Sequence, residues 1–447
     1  MEGYKEYKNS NINCFEEVPS NWEVVPMKFF LKYEKGKNAA KYTKEFLEDN
    51  SNGKYPVYSG QTSNNGILGF INEWDYDLRG IIVSTVGAKA MSIKIVDNKF
   101  ALSQNCALIS VKKDFNIDYS YYILKILFDY EKNKLANIMI PSLRFEDLDT
   151  YKIIKPSLEE QQKIAAYLDY KTATIDEIIA KKQKLIAALD EKKKSIINDI
   201  VTGKKVWNGS EFITPTQVKD SGIQWLGNIP EHWEVYKLKY LIQNISSGCS
   251  VNSEDSPITN DQEYGVLKTS CVYNYIFNSN ENKKVLKEEY SRVKCPVKKN
   301  TIIVSRMNTP ELVGASGYID KDYNNLFLPD RLWQLNFKND YYNSVRYISF
   351  ILSSEIYRYQ FGKISSGSSA SMQNMSQSSF LNLEIVLPSE NEIKSIEIEL
   401  MKLFEILDLI KSKINTQIEK ITEYRQAVIA EAVTGKIDVR HWTKPNN

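Results

Sequence analysis

Between Ser157 and Thr202 the apolar residues Ile164, Leu168, Ile175, Ile178, Leu185, Leu189, Ile196 and Ile200 recur at intervals of three, four or seven, interrupted by Lys171 and Lys182. That spacing is the heptad stripe of one helix face. A second stripe runs through Ile393, Ile396, Leu400, Leu403, Leu407, Ile410, Ile414, Ile421 and Val428, with Gln417 as its polar interruption. Neither Ser157–Thr202 nor Ser389–Thr434 contains proline or glycine. At ~1.5 Å rise per residue each predicts a helix of roughly 65 Å. Ser157 with Glu160 three residues later predicts a capping box behind Pro156, and Gly203 and Gly435 supply the stops. A single apolar seam of this length needs a partner: each helix is the obvious partner of the other, antiparallel if the two halves are related by a pseudo-dyad, the alternative being an amphipathic helix packed on its own domain.

Shorter periods fill the intervening chain. Ile81–Ser84, Ser92–Val96 and Ala107–Val111 read as strands, followed by a helix with Tyr122, Ile123, Ile126, Leu127 and Tyr130 on one face. The string Ile-Ile-Val-Ser returns at 302–305, Leu332–Phe337 reads as a strand, and Val345–Tyr359 as one helix. Strands come first and a helix late in both halves.

The repeat is also written in phrases. Pro19, Trp22, Glu23 and Val24 recur as Pro230, Trp233, Glu234 and Val235, an offset of 211, while Val201–Lys204 recurs as Val433–Lys436, an offset of 232. Pro156 to Val201 and Pro388 to Val433 both span 45 positions, so the 21 extra residues of the second half lie upstream of Pro388.

Composition narrows the class. With 42% hydrophobic and 26% charged residues, the chain is ordinary for a globular protein, and no stretch approaches the ~18 apolar residues of a membrane span. The polar start, Met1 to Asn13, lacks a secretion signal, which points to the cytoplasm. Cys14, Cys106, Cys249, Cys271 and Cys295 form no C-x-x-C pair, and His232 and His441 are too few for a multi-histidine metal centre. The net charge of +2 divides unevenly: the two helical segments 157–203 and 389–435 sum to −3, region 19–156 carries +3 and region 230–388 carries +1. Binding to a polyanion would use a local patch rather than a basic coat.

Small polar loops sit between the framework elements, Tyr58–Gly66 in the first half and Ser365–Gln373 in the second. Val86, Gly87, Ala88 and Lys89 follow the first Ile-Ile-Val-Ser string, and Arg306, Asn308 and Thr309 follow the second. Amide, hydroxyl and guanidinium groups are those that read base edges, and glycine lets backbone approach phosphate. The candidate DNA-contacting residues are Tyr58, Ser59, Gln61, Lys89, Lys268, Arg306, Asn308, Arg331, Ser368 and Gln373. No Asn-Pro-Pro-aromatic methyltransferase motif, Walker A loop or G-x-G-x-x-G fingerprint is present, and Ile437 follows Gly435 and Lys436 where a Walker loop needs Ser or Thr. No catalytic residue and no metal ligand is assigned.

Two variable regions, each opened by Pro-x-x-Trp-Glu and closed by a proline and a long helix ending in Val-Thr-Gly-Lys, resemble the specificity subunit of type I restriction-modification enzymes. Glu160, Gln161 and Gln162 after Pro156 resemble that family's Pro-x-x-Glu-Gln signature, from which Asn391, Glu392 and Ile393 depart. The resemblance implies an α+β fold: two mixed α/β target recognition domains with pseudo-twofold symmetry, separated by two long antiparallel helices forming a coiled coil. The expected boundaries are 1–156 and 204–388 for the recognition domains, the latter with its linker, 157–203 and 389–436 for the helices, and 437–447 for a tail. It also implies a non-catalytic subunit that reads a split, asymmetric target in double-stranded DNA. Its helices, through Leu168, Ile175, Leu189, Leu403, Ile410 and Ile421, would space the readers and dock two modification subunits. Those partners would carry S-adenosylmethionine and methylate adenine, a restriction subunit would bring ATP and Mg where one is present, and this chain would hold no cofactor. A coiled-coil scaffold with protein-binding ends predicts no sequence-dependent DNA binding, and a stand-alone nuclease or methyltransferase predicts activity of the chain alone.

Overall fold

The computed structural model describes residues 3–49, 52–61, 63–112, 114–134, 141–273, 276–369 and 372–445. The chain divides into two compact units, Met1–Gln183 with Asn415–Asn447, and Lys184–Ile414.

In the first unit a hairpin pairs Tyr7–Asn9 with Glu17–Pro19, and Glu23–Pro26 pairs antiparallel with Lys152–Lys155. Between these lies a six-stranded sheet in the order Leu31–Lys35, Cys106–Val111, Tyr76–Ser84, Ile93–Leu102, Tyr55–Tyr58, Ile67–Ile71. The helix Ile117–Lys134 packs on this sheet through Tyr119, Ile123 and Leu127, and the core continues into Ile164 and Leu168 of one long helix and Val428 and Val433 of the other.

The second unit rebuilds the same frame. Val218–Asp220 pairs with Asn228–Pro230, and Glu234–Lys237 with Glu384–Leu387. A four-stranded sheet runs Ile242–Ser247, Leu332–Phe337, Ile302–Ser305, Ser316–Tyr318, beside a second sheet of Asn282–Lys284, Gly265–Leu267, Tyr323–Phe327 and Pro296–Val297. The registers coincide: Ile81 faces Ile109 as Ile302 faces Leu335, and Leu31 faces Val111 as Ile242 faces Phe337. A one-residue slip would turn buried side chains to the wrong face, and the central strand pair keeps its register while loop length changes; Ile242–Ser247 alone departs, with a bulge between Ile242 and Asn244 that Leu31–Lys35 lacks. The extra residues of the second half are accordingly spread over several loops, because the offset rises from 211 at the hairpins to 221 at the Ile-Ile-Val-Ser strands, 226 at the next strand and 232 at the closing strand.

The long helices run Leu158–Val201 and Glu390–Val433. The predicted capping box is present, with Ser157 N donating to Glu160 Oε2 at 3.2 Å and Glu160 N to Ser157 Oγ at 3.3 Å. Within the first unit Arg425 pairs with Asp176 at 2.8 Å, and Lys182 Nζ donates to Gln417 Oε1 at 2.7 Å. Within the second unit Lys411 pairs with Asp190 at 2.8 Å and Lys193 with Asp408 at 3.2 Å. In each unit a rising residue number on one helix meets a falling number on the other, so the pairing is antiparallel. The polar interruptions Lys182 and Gln417 bond to one another, an arrangement that fixes register in paired helices.

Three expectations are corrected. The stretch Val345–Tyr359 is two helices, Val345–Ser353 and Glu355–Ile364, because Ser354 adopts an extended backbone (φ −68°, ψ 152°). The seam is not continuous: Ile178, Leu185 and Ile410 are exposed, Leu189, Leu403 and Ile421 half-buried, and only Leu168 and Ile175 of the proposed spacer residues are buried.

The third concerns the framing phrases. The first unit is closed by the last Val-Thr-Gly-Lys, not by the one that follows it first in sequence. A Cβ on Gly435 would lie 2.4 Å from Pro19 Cγ, and one on Gly203 2.3 Å from Pro230 Cδ. Each helix-ending glycine is thus the floor on which a Pro-x-x-Trp phrase rests. The C-terminal segment joins this closure, with Val439 buried and Trp442 packed on Tyr167 and Tyr170.

Candidate nucleic-acid interface

A Trp–Glu clasp ties the opening phrase of each unit to the start of a long helix. Trp22 Nε1 donates to Glu160 Oε1 at 3.3 Å, and Trp233 Nε1 to Glu392 Oε1 at 3.2 Å. The departure at Asn391–Ile393 therefore leaves the working carboxylate in place, and Glu392 N still bonds Ser389 Oγ. The rest of each clasp differs: Tyr4 adds its hydroxyl to Glu160 at 3.1 Å, whereas His232 meets Glu392 at 2.9 Å.

In the first unit the loop after Tyr55–Tyr58 opens a pocket of about 320 Å³ lined by Tyr58, Ser59, Gly60, Gln61, Asn65, Gly66, Ile82, Ser84, Ser92, Ile93 and Lys94. Three predicted residues meet here. Tyr58 is buried and forms the floor, while Gln61 is exposed but donates its amide to Ile67 O at 2.7 Å. Thr62 lies outside the described residues. Lys89 is exposed on the turn that follows the Tyr76–Ser84 strand, outside the pocket lining. Lys94, the one cation among the described residues of the lining, was not a predicted site residue. Its Nζ donates to Asn65 O at 2.7 Å and sits 4.8 Å from the centre of the Tyr58 ring, and burial lowers its pKa. The signal was available: Ser92, Lys94 and Val96 share one strand face, and Lys94 lies opposite the buried Ile82.

In the second unit the structure brings Arg306, Arg331, Asn308 and Gln373 together. Arg306 N donates to Arg331 O at 3.0 Å, and Asn308 pairs in register with Gln373 in a small sheet of Met307–Asn308, Met372–Met375 and Ser365–Ser369. The backbone of Ser368 belongs to that sheet; its side chain, and Ala370 and Ser371, lie outside the described residues. Arg306 Nε donates to Asp330 O at 2.8 Å, which aims the guanidinium while leaving its terminal nitrogens. Arg331 is exposed and has no side-chain partner among the described residues.

Asn308 does not suit the role predicted for it. It is buried, with Nδ2 donating to Tyr273 Oη at 3.0 Å and Ser305 Oγ at 3.2 Å, and Oδ1 accepting from Thr309 N at 2.9 Å. A side chain so committed fastens the surface and cannot also grip a base edge. Lys268, half-buried, precedes the short helix Thr269–Val272 that leads to Tyr273, so it borders the same surface.

All five cysteines are free, and burial pushes Cys14 and Cys295 up to about 11 and Cys106 up to about 12, leaving them protonated at neutral pH. No group of three or more metal-ligating side chains occurs among the described residues, and no described helix is long and apolar enough to cross a membrane.

Two repeated frames carrying unlike polar surfaces define a sequence-recognition module. The family of the type I restriction modification DNA specificity domain matches residues 19–188 and again 230–420, and the chain belongs to that family, which serves DNA sequence recognition in restriction-modification systems. It is 30% identical over 459 residues to the MjaVIII type I restriction enzyme specificity subunit of Methanocaldococcus jannaschii, across 99% of this chain and 98% of that one. It is 25% identical over 206 residues to the EcoEI specificity subunit of Escherichia coli, across 46% of this chain and 34% of that one. A chain solved in a study of complex assembly and conformational transition of the type I restriction-modification system shares the fold, with a TM-score of 0.60 at 13% identity over 94% of this chain and 99% of that one.

Proposed function

We propose that this chain reads a split, asymmetric target in double-stranded DNA and directs two modification subunits to it. The observation that carries this reading is the shared register of the central strand pair in the two units combined with the difference between their loop surfaces. Changing a target while keeping a partner requires that combination. The modification subunits would carry S-adenosylmethionine and methylate adenine, and a restriction subunit, where the system has one, would bring ATP and Mg. This chain would supply specificity alone, with the long helices as spacer. Leu168 and Ile175 are committed to their own unit's core, so docking falls to exposed apolar positions. Ile398, Ile406 and Leu409, each more than half exposed on the second long helix, offer a face for a modification subunit.

Mapping methylated adenines in host DNA with the gene intact and deleted tests the reading. A split, asymmetric motif that vanishes on deletion is expected. A palindromic or continuous motif, or a methylation pattern unchanged by deletion, would refute it.

A further inference from the structure

We propose that the Lys94 pocket of the first unit holds one backbone phosphate of the bound DNA, an inference that rests on the DNA-reading role above. Among the described residues the lining contains one cation and no carboxylate. Lys94 Nζ has a backbone carbonyl as its hydrogen-bond partner, at 2.7 Å, and burial lowers its pKa, as expected of a charge short of compensation.

A second observation points the same way. Ser84 is 5% exposed, lines the pocket, and its Oγ has no hydrogen-bond partner. A buried hydroxyl left unpaired costs about 1–3 kcal/mol, so an unfilled one beside a pocket marks where a ligand atom belongs. Gly60 keeps that space open, since a Cβ there would stand 2.8 Å from Ser84 Oγ and from Asn105 O.

The donors choose phosphate over a base. Lys94, Ser84, Ser92 and Ser59 offer an ammonium and three hydroxyls, and of the two side-chain amides in the lining, Gln61 and Asn65, Gln61 already gives its nitrogen to Ile67 O. Phosphate oxygens only accept, and an ammonium binds them as a point charge; base edges are read by paired donor and acceptor forks. The equivalent serine of the second unit, Ser305, already accepts from Asn308 Nδ2. The phosphate seat is therefore a property of the first unit's surface.

The test uses the chain assembled with its modification subunits, bound to a duplex carrying the mapped motif and to an unrelated duplex across a salt series. Lys94→Met should weaken both complexes by the same factor and lower the slope of log affinity against log salt by about one. Lys94→Arg should retain the slope. Ser84→Ala should also weaken binding, with a melting temperature unchanged or raised, which separates ligand loss from misfolding. In a methylphosphonate scan, one neutralised phosphate should weaken the wild-type complex and leave the Lys94→Met complex unaffected. An unchanged slope with additive effects at every phosphate would overturn the proposal, and so would a changed base preference in one half of the motif, the mark of a base contact. Absence of DNA binding by the wild-type assembly would refute the DNA reading itself, a result separate from failure of this pocket alone.

Discussion

Ser84 and Ser305 end the same four-residue string, Ile-Ile-Val-Ser, at the end of strands paired in the same register, and they meet opposite fates. Ser305 Oγ accepts from Asn308, which is held in turn by Tyr273, and the Tyr273 hydroxyl lies 2.8 Å from Thr269 Oγ1. Ser84 Oγ is unpartnered and borders an open pocket. The divergence begins one residue past the strand, with Thr85, Val86 and Gly87 against Arg306, Met307 and Asn308. Where backbone pairing and core burial act, the units agree; where the chain leaves the sheet, each builds its own surface.

If the frames are equivalent, breaking either clasp should cost the same. Trp22 and Trp233 are fully buried, and each donates its indole N–H to the carboxylate in the first turn of a long helix. Trp22→Ala and Trp233→Ala should each destabilise the affected unit by about 3–5 kcal/mol, through lost burial and the cavity left behind. Denaturant unfolding followed through the transition of each unit measures this. A loss in one unit several times that in the other would show that the shared Trp phrase supports two different structures.

A smaller effect is expected at the glycines beneath the clasps. Gly203 and Gly435 have φ of 74° and 71°, and a Cβ on either would press into a proline ring, which cannot swing away. Alanine should cost about 1–2 kcal/mol for the left-handed backbone and about 1–3 kcal/mol for overpacking. Gly222 provides the control: its φ is also 71°, but nothing lies within 4 Å of its Cβ position, so Gly222→Ala should show the backbone part alone. Its counterpart in the first hairpin is Asn11, at φ 55°, a residue that tolerates this region. Equal melting temperatures for Gly435→Ala and Gly222→Ala would remove the contact between the phrases as the reason for their repetition.

The long helices, their caps and the repeated strands were legible because each rests on a local period or spacing. Ser157 and Glu160, three apart, had to meet if a helix began there. The break at Ser354 was not legible, since Ile351, Leu352 and Ile356 keep an apolar helical pattern across it. The closure of Gly435 on Pro19 was hidden for another reason: both phrases were recognised, but their partnership joins opposite ends of the chain. Among the candidate contacts, residue type identified Arg306, Arg331 and Gln373, which the fold gathers. The same reasoning misjudged Asn308, because an amide that reads a base and one that bolts a strand to a neighbouring tyrosine look alike in sequence. Lys94 escaped attention for the opposite reason. It stands in a strand, where a lone lysine reads as a solvated face, yet its register turns it toward Tyr58.

The smallest expected effect tests the comparison at its origin. Asn308→Ala removes the partner of Ser305 Oγ, of the Tyr273 hydroxyl and of Thr309 N, and should destabilise the second unit by about 1–3 kcal/mol, since buried polar groups are left unpaired. Ser84→Ala removes a hydroxyl that bonds nothing, and should leave stability within about 0.5 kcal/mol of wild type or raise it. Tyr273→Phe should reproduce part of the Asn308 loss, and the double variant should cost less than the sum of the two singles because they share one bond. Strict additivity would mean that Asn308 and Tyr273 act separately. A Ser84→Ala loss as large as that of Asn308→Ala would show the first unit's serine bonded within its own unit, and the two repeated strings would then end in the same way.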